Sequence, residues 1–157
     1  MPRAVEADTD VIKPAFTVSL KIRKPAAEVF DAVVDDKKMS GYFIAEATGP
    51  LVAGQTVQWK FPEFDEFFPV KVIEITAPER IVLAWQAADG DYDTHIEMSF
   101  KPLDASNTMV SISESGWRET AAGFKAAFGN APGWMHMMCG LKASLEYGIN
   151  LREGGAF

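Results

Sequence analysis

The sequence contains a histidine between two carboxylates, an arrangement that can serve acid–base chemistry. Asp93, His95 and Glu97 alternate along one face of a predicted strand, and a histidine held between acids could donate or accept a proton. The opposite face of the strand carries the apolar residues Ile96 and Met98, and the apolar face of a half-buried strand is the inner one. The sequence therefore predicts that this histidine lies on a solvated outer face and is not catalytic.

Glu114 is a second acidic candidate, near the end of the last predicted strand. It shares a face with Val110 and Ile112, so an inward orientation would carry its carboxylate inside the protein. A buried carboxylate is a candidate functional group. Its place at the end of the strand predicts exposure to solvent instead, and Glu114 is kept as a candidate for a ligand site.

Metal-binding patterns are incomplete. The aspartates of the Asp89–Asp93 stretch match the start of a calcium loop, but Thr94 stands where that loop requires glycine. His136 and Cys139 lie one helical turn apart, without two further ligands nearby for structural zinc. No glycine-rich phosphate loop or serine-nucleophile motif is visible. The sequence predicts neither a metal nor another cofactor.

Charge and cysteine content restrict the class of partner. The chain has 157 residues, with 15 basic and 22 acidic side chains and a net charge of −7. Nucleic acids and anionic membrane surfaces both need a positive protein surface, so neither is an expected partner. Cys139 is the only cysteine. No intrachain disulfide is therefore possible, and a reducing compartment is indicated.

The N-terminal residues also favour a cytoplasmic location. Residues 1–13 contain Glu6, Asp8 and Asp10, where a signal peptide would have an apolar run. No stretch approaches the ~20 apolar residues that span a bilayer. We therefore expect a cytoplasmic protein without membrane insertion.

Alternation of apolar and polar residues predicts six strands. They lie at 16–23, 56–61, 70–76, 80–86, 94–101 and 108–115. Two short helices are predicted after the first strand. Pro25 stands at the first helical position of one, and Asp35 or Asp36 can cap the other.

The strongest helical pattern is near the C-terminus. Its apolar stripe consists of Trp134, Met138, Leu141 and Leu145. A shorter helix before it is predicted to stop at the Gly129-Asn130 pair. Short connections between the strands imply an antiparallel meander. The predicted fold class is α+β, with a curved antiparallel β-sheet wrapped around a long C-terminal α-helix.

Four segments, in this order, resemble a known superfamily. They are Lys24–Phe30, Ala77–Trp85, Thr108–Gly116, and the Gly133-Trp134 helix with Leu141 and Leu145-Glu146. The combination resembles the START-like (SRPBCC, Bet v 1-like) helix-grip superfamily, and within it the family named for the activator of the heat shock protein 90 ATPase. The resemblance covers residues 16–148. The sequence departs from the family pattern at Glu114-Ser115, where a histidine is frequent.

The resemblance implies a cavity between the sheet and the last helix. It does not imply one function, because the superfamily includes lipid carriers, hormone receptors, cyclases and co-chaperones. Aromatic and methionine side chains suit such a cavity, since rigid rings shape it and thioethers adapt. The candidate lining residues, for which plain core packing is the alternative, are Phe43, Trp59, Phe61, Trp85, Ile96, Met98, Glu114, Trp134, Met137, Met138 and Leu141.

Residues 15–151 are predicted to form one START-like domain. A flexible tail is expected at 1–14 and a C-terminal tail at 152–157. The segment Phe61–Phe68 is rich in aromatic and acidic residues. It is interpreted as a lid over the cavity, a partner surface or a satellite core, and these alternatives stay open.

The leading hypothesis is a non-enzymatic binding protein for a small apolar or amphipathic molecule, because no catalytic constellation stands out. One alternative is a cyclase- or hydrolase-type enzyme that uses a cavity acid such as Glu114 or Tyr42. Another is a co-chaperone-like interaction module. A protein partner and the oligomeric state are left open.

Overall fold

The computed structural model describes residues 12–156; the predicted tail at 1–14 lies outside this range except for its last three residues. The elements are β1 (Phe16–Ile22), α1 (Ala26–Val34), α2 (Asp36–Met39), β2 (Glu46–Ala47), β3 (Thr56–Lys60), β4 (Phe67–Thr76), β5 (Arg80–Gln86), β6 (Asp93–Asp104), β7 (Asn107–Ser115) and α3 (Ala121–Tyr147). The predicted strands are present, as are the two short helices after β1 and the long C-terminal helix, together with the additional two-residue strand β2.

The seven strands form one antiparallel sheet with the order β1-β7-β6-β5-β4-β3-β2. Strands β3 to β7 follow one another as a meander, and β1 pairs with β7 at one edge. Helix α3 packs against β1 and β7. The predicted fold class, a curved antiparallel sheet around a long C-terminal helix, is confirmed.

The two short helices connect β1 to the far edge of the sheet. Helix α1 begins directly after Pro25 and buries Val29, Phe30 and Val33. The carboxylate of Asp35 accepts the backbone N–H groups of residues 37 and 38 at 2.9 and 3.3 Å. This cap at the start of α2 confirms the sequence prediction, because it satisfies N–H groups that have no partner inside the helix.

Helix α3 runs through the predicted break at Gly129-Asn130. It is one helix of 27 residues, with Pro132 inside it and Thr120 as its N-cap. The prediction of two separate helices is therefore wrong. Ala127 and Trp134 lie seven positions apart and are both buried, so the stretches before and after the predicted break turn the same face to the protein. That burial outweighs the hydrogen bond that proline removes.

The core lies between the inner face of the sheet and helices α1 and α3. Its largest fully buried side chains are Trp59, Tyr42, Phe100, Ile22, Met39, Ile44, Ile81, Leu83, Ile96, Met98, Ile112 and Met137. On the opposite face of β6, Asp93 and His95 are exposed and Glu97 pairs with Arg80. The expected solvated outer face is thus confirmed.

The C-terminal residues pack against the domain. Helix α3 ends at Gly148, which adopts a left-handed conformation with φ 66°. The residues that follow turn back, and Arg152 is only 9% exposed. The segment 152–156, which the sequence assigned to a tail, is therefore anchored to the domain through Arg152. Between residues 12 and 156, no helix is long and apolar enough to cross a membrane.

Candidate ligand-binding site

A cavity of about 660 Å³ lies beside the middle of helix α3. Its walls come from four parts of the chain: the turn between α2 and β2, the inner face of the sheet with the loop after β3, one stretch of α3, and the C-terminal residues. The lining residues are Phe43, Phe61, Phe64, Trp85, Gly129, Asn130, Pro132, Gly133, Trp134, His136, Arg152 and Ala156.

Four of these residues form a continuous aromatic wall: Phe43, Phe61, Trp85 and Trp134. The indoles of Trp85 and Trp134 are stacked, with ring centroids 5.2 Å apart and an interplanar angle of 26°. Phe43 contacts Trp134 at 5.8 Å and Phe61 at 5.2 Å. Rings in contact at these distances stabilise one another beyond their simple burial. The aromatic wall is therefore a rigid surface that shapes the cavity.

Directly behind this wall lies the carboxylate of Glu114, which is fully buried. One oxygen accepts the indole N–H of Trp134 at 2.7 Å, and the other accepts the indole N–H of Trp85 at 3.0 Å. The hydroxyl of Thr94 donates at 2.7 Å, and the amide of Asn130 donates to both oxygens at 3.1 and 3.2 Å. The predicted solvent exposure of Glu114 is wrong.

The burial of Glu114 follows from its position in the sheet and from the helix above it. Its backbone lies between Phe16 of β1 and Ile96 of β6, so both flanks are covered although the strand ends one residue later. Trp134 and Asn130 of α3 cover it from above. The indole N–H groups and the amide nitrogen of Asn130 can only donate, so the carboxylate accepts their hydrogen bonds. It also accepts the hydrogen bond of the Thr94 hydroxyl.

This network determines what the aromatic wall offers to a ligand. The N–H groups of both indoles point away from the cavity and are used by Glu114. The rings therefore present carbon surfaces to the cavity. The carboxylate itself has both oxygens occupied by donors and does not line the cavity, so it is not placed to abstract a proton from a bound molecule.

Arg152 closes one side of the cavity. It forms a salt bridge with Glu63, and the two side chains are only 9% and 5% exposed. Its guanidinium lies over the rings of Phe43 and Phe61, at 5.6 and 5.9 Å from their centroids. Burial alone would raise the pKa of Glu63, but the hydrogen bonds from Arg152 and from the backbone hold that pKa below its usual value.

The candidate lining residues separate into two groups. Phe43, Phe61, Trp85 and Trp134 line the cavity. The other seven lie in the fully buried core behind or below it: Trp59, Ile96, Met98, Glu114, Met137, Met138 and Leu141. The sequence reasoning missed eight residues of the wall, among them Asn130, Gly133, His136 and Arg152. Two signals were available. Phe64 lies in the segment Phe61–Phe68, for which a lid over the cavity was one interpretation, and the small residues of the Gly129–Gly133 stretch leave space beside the helix.

Tyr42, the alternative catalytic candidate, does not line the cavity. It is 1% exposed, and its hydroxyl donates to the carbonyl of Ala32 at 2.9 Å. Burial raises the pKa of this phenol well above its ordinary range. Within residues 12–156, no group of three His, Cys, Asp or Glu side chains is arranged to hold a metal ion.

Structural comparison identifies several relatives with the same fold. The protein SSP2350 from Staphylococcus saprophyticus superposes with a TM-score of 0.75 at 23% identity, over 88% of this chain and 96% of that one. The Aha1 protein of Colwellia psychrerythraea, solved as a dimer in solution, gives a TM-score of 0.70 at 19% identity, over 85% and 97% of the two chains. At these identities the similarity establishes the fold.

A third relative is DynU16, a protein of the dynemicin biosynthetic locus. It superposes with a TM-score of 0.75 at 19% identity, over 87% of this chain and 49% of the longer DynU16 chain.

No functionally curated protein matches this sequence. The family model described as "Activator of Hsp90 ATPase homolog 1-like protein" matches residues 23–146. Because this match covers most of the chain, the protein belongs to the family of activator of Hsp90 ATPase homolog 1-like proteins.

Proposed function

We propose that this protein binds a small apolar or amphipathic molecule in the cavity beside α3, without catalysing a reaction on it. The observation that carries this proposal is a cavity of about 660 Å³ with an aromatic wall. Protein pockets for small ligands measure roughly 300–1,000 Å³ and are mostly apolar, with a few polar groups that orient the ligand. Asn130 and His136 are polar groups of this kind here.

The lining of the cavity is poorly equipped for acid–base catalysis. Of its ionisable side chains, Arg152 is paired with Glu63, and His136 is the one histidine that lines the cavity. Glu114 and Tyr42 are buried with their polar atoms engaged. One histidine with no second acid or base among the lining residues favours binding over the cyclase- or hydrolase-type alternative, which needs a pair with complementary roles.

Ligand screening tests the proposal. A panel of fatty acids, sterols, polycyclic aromatic compounds and apolar amines would be measured by tryptophan fluorescence and by thermal melting. A ligand that binds only the folded state at a hundred times its Kd adds about 2.7 kcal/mol of stability. Binding should also change the emission of Trp85 and Trp134, which line the cavity. No response from any member of the panel would reject the proposed function.

A co-chaperone-like interaction module is the second candidate. It is favoured by Phe64 and Phe67, which are 49% and 44% exposed in the loop and strand after β3, since exposed aromatic groups commonly contact partners. An ATPase assay with a purified chaperone separates the two candidates. A several-fold increase in rate at stoichiometric protein would favour the interaction module.

The proposed location is the cytoplasm, in keeping with the single cysteine.

A further inference from the structure

A positively charged group already lies against the aromatic wall. The guanidinium of Arg152 is within 6 Å of the centroids of Phe43 and Phe61, the range in which a cation is attracted to the face of an aromatic ring. Arg152 lines the cavity, and its side chain is only 9% exposed. One of the protein's own positively charged side chains thus lies against a surface of apolar rings.

The charges around the cavity favour positive ligands. Glu63 and Glu114 place two buried carboxylates beside the site, whereas Arg152 supplies one positive charge. The whole chain carries a net charge of −7. An anionic ligand would enter a region that already has excess negative charge, while a cation would compensate it. In a site of low dielectric constant this difference is larger than in water.

The hydrogen bonds of Glu114 strengthen this preference. Trp85 and Trp134 both donate their indole N–H to the same carboxylate. Donation to an anion shifts electron density into the ring, because hydrogen-bonded groups polarise one another. Tryptophan is already the aromatic side chain that attracts cations best. The two indoles on this wall are therefore more electron-rich than indoles that donate to water.

We propose that the ligand is an organic cation, an amine or quaternary ammonium group carried on an apolar body. Its positive group contacts the aromatic wall, and Arg152 occupies part of that position in the ligand-free protein. This inference rests on the proposed function, and it specifies the class of molecule that the cavity selects.

A matched pair of probes tests the charge preference. Benzyltrimethylammonium and neopentylbenzene have nearly the same shape, and they differ by a positive nitrogen in place of a carbon atom. Their Kd values would be measured from the indole N–H signals in two-dimensional NMR spectra, with tryptophan-to-phenylalanine variants used for assignment. We expect the cation to bind at least tenfold more tightly.

Equal or tighter binding of neopentylbenzene would overturn the inference and leave the proposed function standing. Failure of both probes to shift any indole signal would overturn the inference, and the ligand panel above judges the proposed function separately.

Arg152→Met gives an independent test. The substitution replaces the positively charged side chain with an unbranched apolar one. Because the guanidinium then no longer occupies the position of the ligand's positive group, the affinity for benzyltrimethylammonium should rise several-fold. Arg118→Met is the matched control, because Arg118 lies over the ring of Tyr92 at 4.5 Å, away from the cavity. That control should leave the Kd unchanged. Weaker binding of the cation by a folded Arg152→Met protein, verified by its melting curve, would contradict the proposal.

Discussion

Trp134 donates its indole N–H to the buried carboxylate of Glu114 at 2.7 Å. This bond joins the middle of helix α3 to the end of strand β7, and it orients the ring that forms part of the aromatic wall. The same carboxylate holds Trp85 from strand β5. One acidic side chain therefore fixes the relative positions of the helix, the sheet and the two stacked indoles.

Replacing Glu114 with Gln should lower the free energy of unfolding by about 2–3 kcal/mol. Hydrogen bonds to a charged group contribute about 1.5–3 kcal/mol each, and the new amide group directs N–H atoms at donors that need an acceptor. Urea denaturation measures the change. The matched control is Glu119→Gln, at an exposed position, for which we expect less than about 0.5 kcal/mol. Equal stabilities of the two variants would show that the network does not stabilise the fold.

The sequence was sufficient to predict the elements that depend on local periodicity. The inward orientation of Ile96 and Met98 followed from alternation along β6, and the cap of α2 by Asp35 followed from residue type. The stripe through Trp134 and Leu141 likewise identified the face of α3 that is buried. These features need only the spacing of neighbouring residues.

The cavity could not be predicted in the same way, because its walls join distant parts of the chain. Glu114 is buried by Trp134 and Asn130, whose approach depends on how α3 crosses the sheet. The pair Arg152–Glu63 spans 89 positions. No periodic pattern records such a contact, so the sequence assigned Arg152 to a tail. The continuity of α3 through Pro132 was missed for the same reason, since tertiary packing outweighed a local stop signal.

Glu146 should make the stability depend on pH in the acid range. Its side chain is 3% exposed, and burial would raise its pKa, but hydrogen bonds from Lys142 and Arg23 hold the pKa at about 2 instead of 4.5. A lowered pKa contributes stability that is present above pH 4.5 and is lost as pH falls towards 2. Unfolding free energies between pH 2 and 6 should therefore depend less on pH in Glu146→Gln. A Glu153→Gln protein, changed at an exposed site, should retain the dependence of the parent; an identical slope in all three proteins would refute this role.

Gly140 is required by the close approach of α3 to the chain at Tyr42. A Cβ atom at this position would lie 2.8 Å from the backbone carbonyl oxygen of Tyr42. Gly140→Ala should therefore cost about 1–3 kcal/mol through overpacking, although alanine favours helix. Gly129→Ala in the same helix meets nothing within 4 Å and should stabilise by up to about 1 kcal/mol. Thermal unfolding of both variants gives the comparison, and a stabilised Gly140→Ala protein would contradict the contact.

The sequence predicted that Met138 lines the cavity, and a substitution at this position tests whether any empty space exists around it. The side chain is fully buried and does not line the cavity. Met138→Trp should therefore cost roughly 1–3 kcal/mol, because it adds atoms to a packed region. Chemical denaturation measures this loss. A variant as stable as the parent would show that unfilled volume exists next to Met138.

Gly133 is the position from which the cavity can be filled without disturbing the core. It lines the cavity, and a Cβ atom there meets nothing within 4 Å. Gly133→Leu should keep or slightly increase stability, by up to about 1 kcal/mol, since glycine is a poor helix former. The leucine side chain should occupy ligand space and weaken binding of any hit from the ligand panel at least tenfold, as measured by fluorescence titration. Ala122→Leu is the matched control, because it adds an apolar side chain at an exposed position of the same helix. If Gly133→Leu bound the ligand as tightly as Ala122→Leu did, the ligand would have to bind outside this cavity.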